Sequence, residues 1–226
     1  MSDHPRCILH ISLNYEGYPL RLTLDSVARH PLLSRVCTID TTSNYPIFGE
    51  RGVCHAKLQN CVERRFPNPY PQLDVTLKWA TGLSNVEKLV DEAKIIVENL
   101  SWLQGNVVPE FYGLFSGHIG EMMVACLVAE RSRELPEVDP SELYRRKVSA
   151  VTRIHAAHVI CHNLRNEHFG LGKNGTVQII DFSHARIHLC LPEERSCDCR
   201  DYNAMVSTLG PRPQNRYEHY PRRSRN

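Results

Sequence analysis

One acidic residue of this chain occupies a position that is hard to explain without a bound partner. Asp181 directly follows residues 177–180, a mostly apolar run that is typical of a buried strand. Because an unpaired carboxylate is costly to bury, this position favours a metal ion or another cation beside Asp181. The alternatives are a structural cap and an ion pair with Arg165. The pattern predicts a cation site at the end of this strand.

A second group of candidate residues lies upstream, in segment 161–168. It contains Asn163, eighteen residues before Asp181, and ends at His168. An amide can accept a hydrogen bond from a hydroxyl group, but it can neither take up a proton nor supply negative charge. His168 offers an imidazole where a hard cation such as Mg²⁺ would prefer an oxygen ligand. The segment thus carries groups that suit binding better than catalysis.

Two predicted elements must position a further group, the amine of Lys78. Residues 74–80 alternate in polarity, which predicts a strand that carries Lys78. A helix is predicted to begin at Ser84 and to carry Glu92. Its apolar residues recur at helical spacing: Val86, Leu89, Val90, Ala93, Val97, Leu100 and Leu103. Without each other, Lys78 and Glu92 would be ordinary solvent-facing charges, so their importance depends on their pairing.

Other segments complete the predicted elements. Residues 122–129 predict a strand that leads into a connection at residues 130–133, and residues 141–157 predict a helix after Pro140. A turn between two short strands is predicted at residues 49–52. Several prolines predict a surface insert at residues 66–71, because proline does not fit a central strand. The chain is therefore expected to contain both helices and strands.

The order of these groups resembles the catalytic centre of the protein-kinase-like fold. Kinases carry H-R-D-x-x-x-x-N followed by D-F-G. Residues 161–168 (CHNLRNEH) fall on the first motif and residues 181–183 (DFS) on the second. Residues 103–113 resemble the string L-Q-G-x-x-V-P-x-x-x-G of small kinase-like proteins that are common in mushroom-forming fungi. The resemblance covers roughly residues 47–190 and is most specific in its second half.

The resemblance implies an α+β, bilobal fold. Residues 42–130 would form an N-terminal lobe with a small antiparallel sheet, and residues 131–205 a short, truncated helical C-terminal lobe. Residues 1–41 would then be a lead of uncertain order. Residues 206–226 would be a basic tail, which we expect to be disordered.

The resemblance also implies roles for the candidate residues. Lys78 would bind phosphate groups and pair with Glu92, while Asp181 would bind Mg²⁺. Asn163 takes the position of the catalytic base and His168 that of a second metal ligand, so both positions are degenerate. The other implied binding residues are Gly49 and Gly52, in a loop over the phosphates, and Glu130, whose backbone would meet an adenine ring. The implied ligands are ATP and Mg²⁺, the latter at a weakened site.

A missing base favours binding over catalysis. General-base catalysis contributes about 10²–10⁴-fold to a rate, so Asn163 predicts a pseudokinase that binds nucleotide and transfers phosphate poorly. One alternative is a residual phosphotransferase, acting on a protein or a small molecule, in which Asn163 orients the acceptor. The other is a structural remnant without a ligand. A protein partner is compatible with each of these functions.

A group of soft metal ligands lies near the C-terminus. It consists of His188, Cys190, Cys197 and Cys199. Structural zinc sites usually use C-x₂₋₄-C or H-x₃₋₅-H pairs. Neither the H-x-C nor the C-x-C spacing fits this pattern, so the sequence disfavours a zinc site.

The composition is typical of an intracellular domain. The 226 residues include 27 basic and 25 acidic ones, and the net charge of +2 gives no general attraction to nucleic acid or to a membrane. Nine cysteines without the spacing of a disulfide framework favour a reducing compartment. The sequence shows no leader peptide and no apolar run long enough to span a membrane, so we expect a cytoplasmic or nuclear location.

Overall fold

The fold is built around a closed barrel of strands. The computed structural model describes residues 8–15, 18–29, 36–40, 50–61, 72–190 and 199–210, and within them the barrel has seven strands. They are β1 (Ile8–Tyr15), β2 (Tyr18–Arg29), β3 (Val36–Asp40), β4 (Arg51–Cys61), β5 (Leu73–Thr81), β6 (Phe111–Ile119) and β7 (Met122–Glu130). The strand order is β1-β2-β6-β7-β5-β4-β3, and the barrel closes where β3 pairs with β1. This last pair is parallel, whereas the other neighbouring strands are antiparallel.

The remaining elements lie outside the barrel. A helix, α1 (Leu83–Lys94), follows β5 and continues into a π-helical turn (Ile95–Asn99). After β7 come α2 (Pro140–Ala156), β8 (Val159–Cys161), β9 (Phe169–Leu171), β10 (Val177–Ile179), β11 (Ala185–Ile187) and α3 (Arg200–Ser207). The short strands form two small antiparallel sheets, in which β9 pairs with β10 and β8 pairs with β11.

The alternation of side chains along β5 separates two hydrophobic cores. Val75, Leu77 and Trp79 belong to the core inside the barrel. Ala80 belongs to the second core, in which the outer surface of the barrel packs against the helices and short strands. Because successive side chains of a strand point to opposite faces, Lys78 shares the outward face with Ala80. Strand periodicity therefore places the Lys78 amine on the barrel surface that faces α1.

Packing inside the barrel explains Gly52. This residue lies on β4, opposite Trp79 of β5, and a Cβ atom added to Gly52 would overlap the indole ring. Trp79 is buried, so its ring has little freedom to move aside. Gly52 thus lies within a strand and not in the predicted turn, while Gly49 lies outside the described residues.

Helix α1 presents one face to the barrel. Val86, Leu89 and Ala93 are buried at helical spacing, and the helix packs against β5 and β7. The chain enters the helix through Gly82, whose φ of 78° favours glycine. Glu92 lies on the same buried face, with an exposed fraction of only 4%. A carboxylate in such a position requires a partner.

Helix α2 begins with a strong capping arrangement. The Asp139 carboxylate accepts hydrogen bonds from the backbone N–H groups of Ser141 and Glu142, at 3.0 and 3.1 Å, and Pro140 occupies the first turn. The helix packs against β8, β10 and α3. Its last turn carries His155, which is buried.

The predicted bilobal, protein-kinase-like fold is wrong. In the part of the chain that the structure describes, seven strands close into one barrel, and the α-helices number three, of which α3 has eight residues. This arrangement is neither a small N-terminal sheet nor a helical C-terminal lobe. The physical reason lies in residues 1–41, where no element was predicted, because this segment contributes β1, β2 and β3 to the barrel. The resemblance to small fungal kinase-like proteins is wrong for the same reason. Its motifs are local, and they do not determine how distant strands pair.

Predictions for individual elements are confirmed where they rest on local periodicity. The predicted strands at residues 74–80, 122–129 and 177–180 correspond to β5, β7 and β10, and the predicted helices correspond to α1 and α2. The proline-rich insert at residues 66–71 and the tail from residue 211 onward lie outside the described residues. Among the helices that the structure describes, none is both long enough and apolar enough to cross a membrane.

Candidate functional site

A cavity of about 330 Å³ lies against the outer face of the barrel. Strands β4, β5, β6 and β7 contribute to one wall, α1 contributes Glu92, and the segments around β9 and β10 contribute the opposite wall. This volume is at the lower end of the range of about 300–1,000 Å³ that small-molecule sites occupy. The cavity is therefore the candidate ligand site.

Strand register determines the layout of the barrel wall. One row of opposed residues consists of Val53, Lys78 and Leu127. The next row consists of His55, Thr76 and Ala129. All six residues line the cavity. Because alternate residues of a strand are about 6.5–7 Å apart, the second row lies one such step from the row that carries the amine.

An ionic cluster of three residues forms the charged end of the cavity. Lys78 Nζ donates hydrogen bonds to both carboxylate oxygens of Glu92, at 2.8 and 2.7 Å, and to Asp181 Oδ1 at 2.7 Å. Glu92 Oε1 also accepts a hydrogen bond from the backbone N–H of Phe182 at 3.1 Å. Strand β5, helix α1 and the chain after β10 thus meet at one ammonium group.

The protonation states of this cluster follow from burial and mutual attraction. Burial alone would lower the pKa of Lys78, but the attraction of Glu92 and Asp181 outweighs it and the pKa is raised. Burial would raise the pKa of Asp181, yet Lys78 and the hydrogen bonds from Ser183 lower it to about 2. Burial raises the pKa of Glu92, and the attraction of Lys78 opposes this shift. With both carboxylates ionised beside Lys78, the cluster carries one net negative charge.

The position of Asp181 answers the alternatives raised by its sequence. Its Oδ1 atom accepts a hydrogen bond from the Ser183 N–H at 3.1 Å, so Asp181 does cap the turn that follows it. Its ionic partner is Lys78, whereas Arg165 lies 3.7 Å from Glu167. Asp181 also lines the cavity, with 27% of its side chain exposed. The carboxylate therefore remains accessible to a ligand.

His168 lies beside this carboxylate in the cavity. Its Nδ1 atom accepts a hydrogen bond from the Arg165 N–H at 3.2 Å, which places the proton of a neutral ring on Nε2. Nε2 lies 3.7 Å from Asp181 Oδ2. In this tautomer, His168 presents an N–H group and not a lone pair, so it is poorly suited to bind a metal ion.

The chain that follows β7 closes the opposite end of the cavity. Glu130 and Ser132 both line the cavity here. The Glu130 carboxylate accepts a hydrogen bond from the Glu110 N–H at 3.3 Å and lies 3.2 Å from Lys173 Nζ. The Ser132 hydroxyl donates to Gln178 Oε1 at 2.7 Å. The backbone N–H groups of Glu130 and Arg131 also donate within the protein, to the carbonyl oxygens of Glu110 and Asp74 at 2.8 and 3.1 Å, so a ligand at this end would have to bond to the backbone of Ser132.

The structure brings together most of the residues predicted to bind a ligand. Those that line the cavity are Lys78, Glu92, Glu130, His168 and Asp181. Asn163 is exposed in the loop after β8, with φ of 58°. It does not line the cavity. Gly52 is a packing residue of the barrel, and Gly49 lies outside the described residues.

Sequence reasoning missed the second row of the barrel wall. Thr76 could have been found, because it lies two residues before Lys78 on the same strand and therefore shares its face. His55 gave no comparable signal, since it reaches the cavity only through the pairing of β4 with β5. Neither residue belongs to a motif.

The comparisons with known proteins do not identify a family. No model of a protein family matches this chain, and no curated protein matches it. The resemblance to the protein-kinase-like family, which the barrel already corrects, therefore gains no support from related sequences.

Proposed function

We propose that the protein binds a nucleotide such as ATP, together with one Mg²⁺ ion, in the cavity beside Lys78. The observation that carries this proposal is the contact of one ammonium group with two carboxylates at the end of a cavity of about 330 Å³. An amine for phosphate oxygens and a carboxylate for the cation are the two charged groups that metal-bound nucleotides commonly use. The proposed function is binding without efficient phosphate transfer.

The charge balance makes the cation essential. Glu92 and Asp181 together carry two negative charges against the single positive charge of Lys78, so a bare phosphate chain would be repelled. Mg²⁺ prefers oxygen ligands and is often bound by one or two carboxylates together with phosphate oxygens. A Mg²⁺ ion at Asp181 would neutralise this carboxylate and leave the Lys78 amine able to donate to a phosphate oxygen.

The wall of the cavity suits the base of a nucleotide. Val53 of β4 and Leu127 and Ala129 of β7 present apolar groups on either side of β5. Ile180 contributes from the opposite wall. A flat aromatic ring between these residues would bury apolar surface, which contributes about 25 cal/mol per Å². At the far end, the backbone of Ser132 can form a hydrogen bond with the edge of the ring, as backbone groups commonly do in ligand sites.

The arrangement of the polar side chains argues against efficient transfer. Asp181, whose pKa Lys78 helps to lower to about 2, is a weak base, and the neutral His168 ring presents an N–H group. Asn163 lies outside the cavity wall, and its amide cannot accept a proton. Loss of a positioned base typically costs a factor of about 10²–10⁴ in rate. We therefore infer that a bound nucleotide acts as a stable ligand and not as a rapidly consumed substrate.

Calorimetric titration of the full chain with ATP, with Mg²⁺ or with a chelator, tests this proposal. In the presence of Mg²⁺ we expect one site per chain with a micromolar dissociation constant. Chelation of Mg²⁺ should weaken binding at least about tenfold, or by about 1.4 kcal/mol. Absence of heat and of a thermal shift at millimolar Mg·ATP would contradict the proposal, and so would equal binding with and without Mg²⁺.

A further inference from the structure

Two histidines and two cysteines converge beside the last turn of α2. They come from three parts of the chain: His155 lies in α2, His188 and Cys190 follow β11, and Cys199 precedes α3. Their four ligand atoms all lie within 4.8 Å of one another. We propose that these four residues bind one zinc ion. This site does not depend on the proposed nucleotide site, because none of these four described residues lines the cavity.

The distances between the ligand atoms are close to those of a tetrahedral site. Cys190 Sγ lies 3.2 Å from His155 Nε2 and 3.3 Å from His188 Nε2, and Cys199 Sγ lies 3.2 Å from His188 Nε2. Zinc–sulfur and zinc–nitrogen bonds at a tetrahedral angle place such atoms about 3.5 Å apart. These three pairs would have to move apart by a few tenths of an ångström, and any pair near the 4.8 Å limit of the cluster would have to move closer together, to complete the coordination shell.

The donor set favours zinc. Two thiolates and two imidazoles form a Cys₂His₂ set, in which all four positions of the ion are filled by protein. A tetrahedral S₂N₂ site is typical of zinc, whereas Mg²⁺ and Ca²⁺ require oxygen ligands. With all four positions occupied, the ion has no open position for a substrate. The site is therefore structural and not catalytic.

The surroundings of the four ligands support the proposal. Asp201 Oδ2 lies 3.2 Å from His188 Nδ1, so a proton on Nδ1 leaves the Nε2 lone pair free for the metal. The ring of Tyr202 packs against His155, with centroids 5.1 Å apart. His155 and Cys199 are buried, with exposed fractions of 3% and 1%. His188 is thus oriented toward the metal, and two of the four ligands are shielded from solvent, while His188 and Cys190 are partly exposed.

A metal ion would satisfy the four ligand atoms more fully than hydrogen bonds do. The Cys190 sulfur lies near two imidazole nitrogens, and in each contact the donor depends on the tautomer of the ring. A thiol is a weak hydrogen-bond donor and its sulfur a weak acceptor, so thiol–imidazole contacts of this kind are weak interactions. One zinc ion would contact both sulfurs and both nitrogens at once, because thiolates and neutral imidazoles all present lone pairs to it.

The sequence pattern disfavoured zinc because it omitted one ligand. His155 lies 35 positions before Cys190, on a helix, and no short spacing links it to the other three residues. Cys197, which belonged to the pattern, lies outside the described residues. The four ligands that the fold brings together thus differ by one residue from the four that sequence spacing grouped.

The proposed ion would fasten the C-terminal elements to the core. Helix α3 has eight residues, and isolated helices shorter than about 12–15 residues are marginal in water. Zinc would connect the residue before α3 to α2 and to the chain leaving β11. These connections would hold α3 in place.

Metal content and a cobalt spectrum test the proposal. The full chain is produced in zinc-containing medium and purified under reducing conditions, and its metal content is measured by mass spectrometry. We expect one zinc ion per chain. After exchange for Co²⁺, we expect the visible bands of a tetrahedral ion and the near-ultraviolet charge-transfer band of cobalt bound to thiolate.

Matched variants identify the ligands. We expect bound zinc to fall at least about tenfold in Cys199→Ser and in His155→Gln, because three protein ligands hold zinc less tightly than four. The control is His158→Asn, which removes an exposed histidine three residues from His155, at a φ of 59° that asparagine tolerates. This control should retain its zinc. Circular dichroism establishes whether each variant folds. If a variant does not fold, the cobalt spectrum of the wild-type protein still tests the zinc site.

Several outcomes would overturn the zinc site. Wild-type protein that contains no zinc and gives no thiolate–cobalt band would do so. Full zinc content in folded Cys199→Ser would also do so. The protein could also contain a disulfide between Cys190 and Cys199. If it still takes up no metal after this disulfide is reduced, the zinc site is overturned.

Discussion

Lys78 and Asp181 lie 103 positions apart in the sequence, yet Lys78 Nζ is 2.7 Å from Asp181 Oδ1. The same ammonium group is bound by the buried carboxylate of Glu92, so one contact point links the barrel, α1 and the chain after β10. Removal of one partner from a buried ion pair typically costs about 3–5 kcal/mol. The fold therefore depends on the cluster being intact, because loss of one partner leaves a buried charge uncompensated. We propose that the cluster also binds a cation and a phosphate.

Replacement of Lys78 should weaken nucleotide binding. A hydrogen bond to a charged group contributes about 1.5–3 kcal/mol, so Lys78→Ala should raise the dissociation constant of Mg·ATP by roughly 10–100-fold. The matched control is Lys88→Ala, which removes an exposed lysine from α1. Calorimetry measures the affinities, and thermal unfolding shows whether each variant is folded. Unchanged affinity in a folded Lys78→Ala protein would contradict the proposed phosphate contact.

Asp181 should make stability depend on pH in the acid range. Its pKa is lowered from 3.8 to about 2 in the folded protein, so its contribution is present above pH 3.8 and is lost as the pH falls toward 2. After allowance for partial exposure, the contribution is about 1–2 kcal/mol. Urea unfolding of wild type and Asp181→Asn from neutral pH downward should show a difference that shrinks below pH 3.8.

The control for this pH dependence is Asp91→Asn, which changes an exposed aspartate of α1. Its unfolding free energy should follow that of wild type throughout the pH range, because surface pairs contribute little. A constant difference between wild type and Asp181→Asn down to the lowest pH would show that the ionised carboxylate is not the source of the stabilisation.

Local periodicity allowed part of this account to be predicted from sequence. The alternation in β5 and the helical spacing in α1 placed Lys78 and Glu92 on neighbouring elements, and the structure brings them into contact. Closure of the barrel could not be predicted in the same way. It depends on pairs such as Ile8 with Val36 and Asp25 with Ser116, and nothing within one strand indicates its distant partner. The short motifs after residue 100 therefore supported the wrong fold.

Gly52→Ala should destabilise the barrel. The added methyl group would overlap the ring of Trp79, and overpacking of a core costs about 1–3 kcal/mol. The control is Arg51→Ala, at an exposed neighbouring position of β4, which should be close to neutral. Chemical unfolding measures both variants. Equal stability of Gly52→Ala and wild type would contradict the close packing between β4 and β5.

Zinc removal should loosen the C-terminal elements more than the barrel. If the ion connects α2, the chain after β11 and the start of α3, a chelator should increase hydrogen exchange in β11 and α3, while β5 and β7 stay protected. Mass spectrometry of peptides before and after chelation measures this difference. Readdition of zinc is the control and should restore protection. Uniform exchange across the described elements, unaffected by chelation, would contradict the proposed role of the ion.

The two sites also differ in how visible they are from sequence. Asp181 was a candidate because a carboxylate after an apolar run is uncommon, and this is a local property. His155 was not, because a histidine at a helix end is ordinary until the fold brings Cys190 beside it. Long-range contacts, and not residue types, therefore limited what could be foreseen.

A crystal structure of the full chain grown with Mn²⁺ and a non-hydrolysable ATP analogue would test the central claim most directly. The anomalous signal of manganese locates the cation independently of the nucleotide. We predict manganese bound to Asp181, a phosphate oxygen within hydrogen-bond distance of Lys78 Nζ, and the base between Val53 and Ile180. A nucleotide bound elsewhere, or a cavity without manganese in which Lys78 still contacts both carboxylates, would contradict the account.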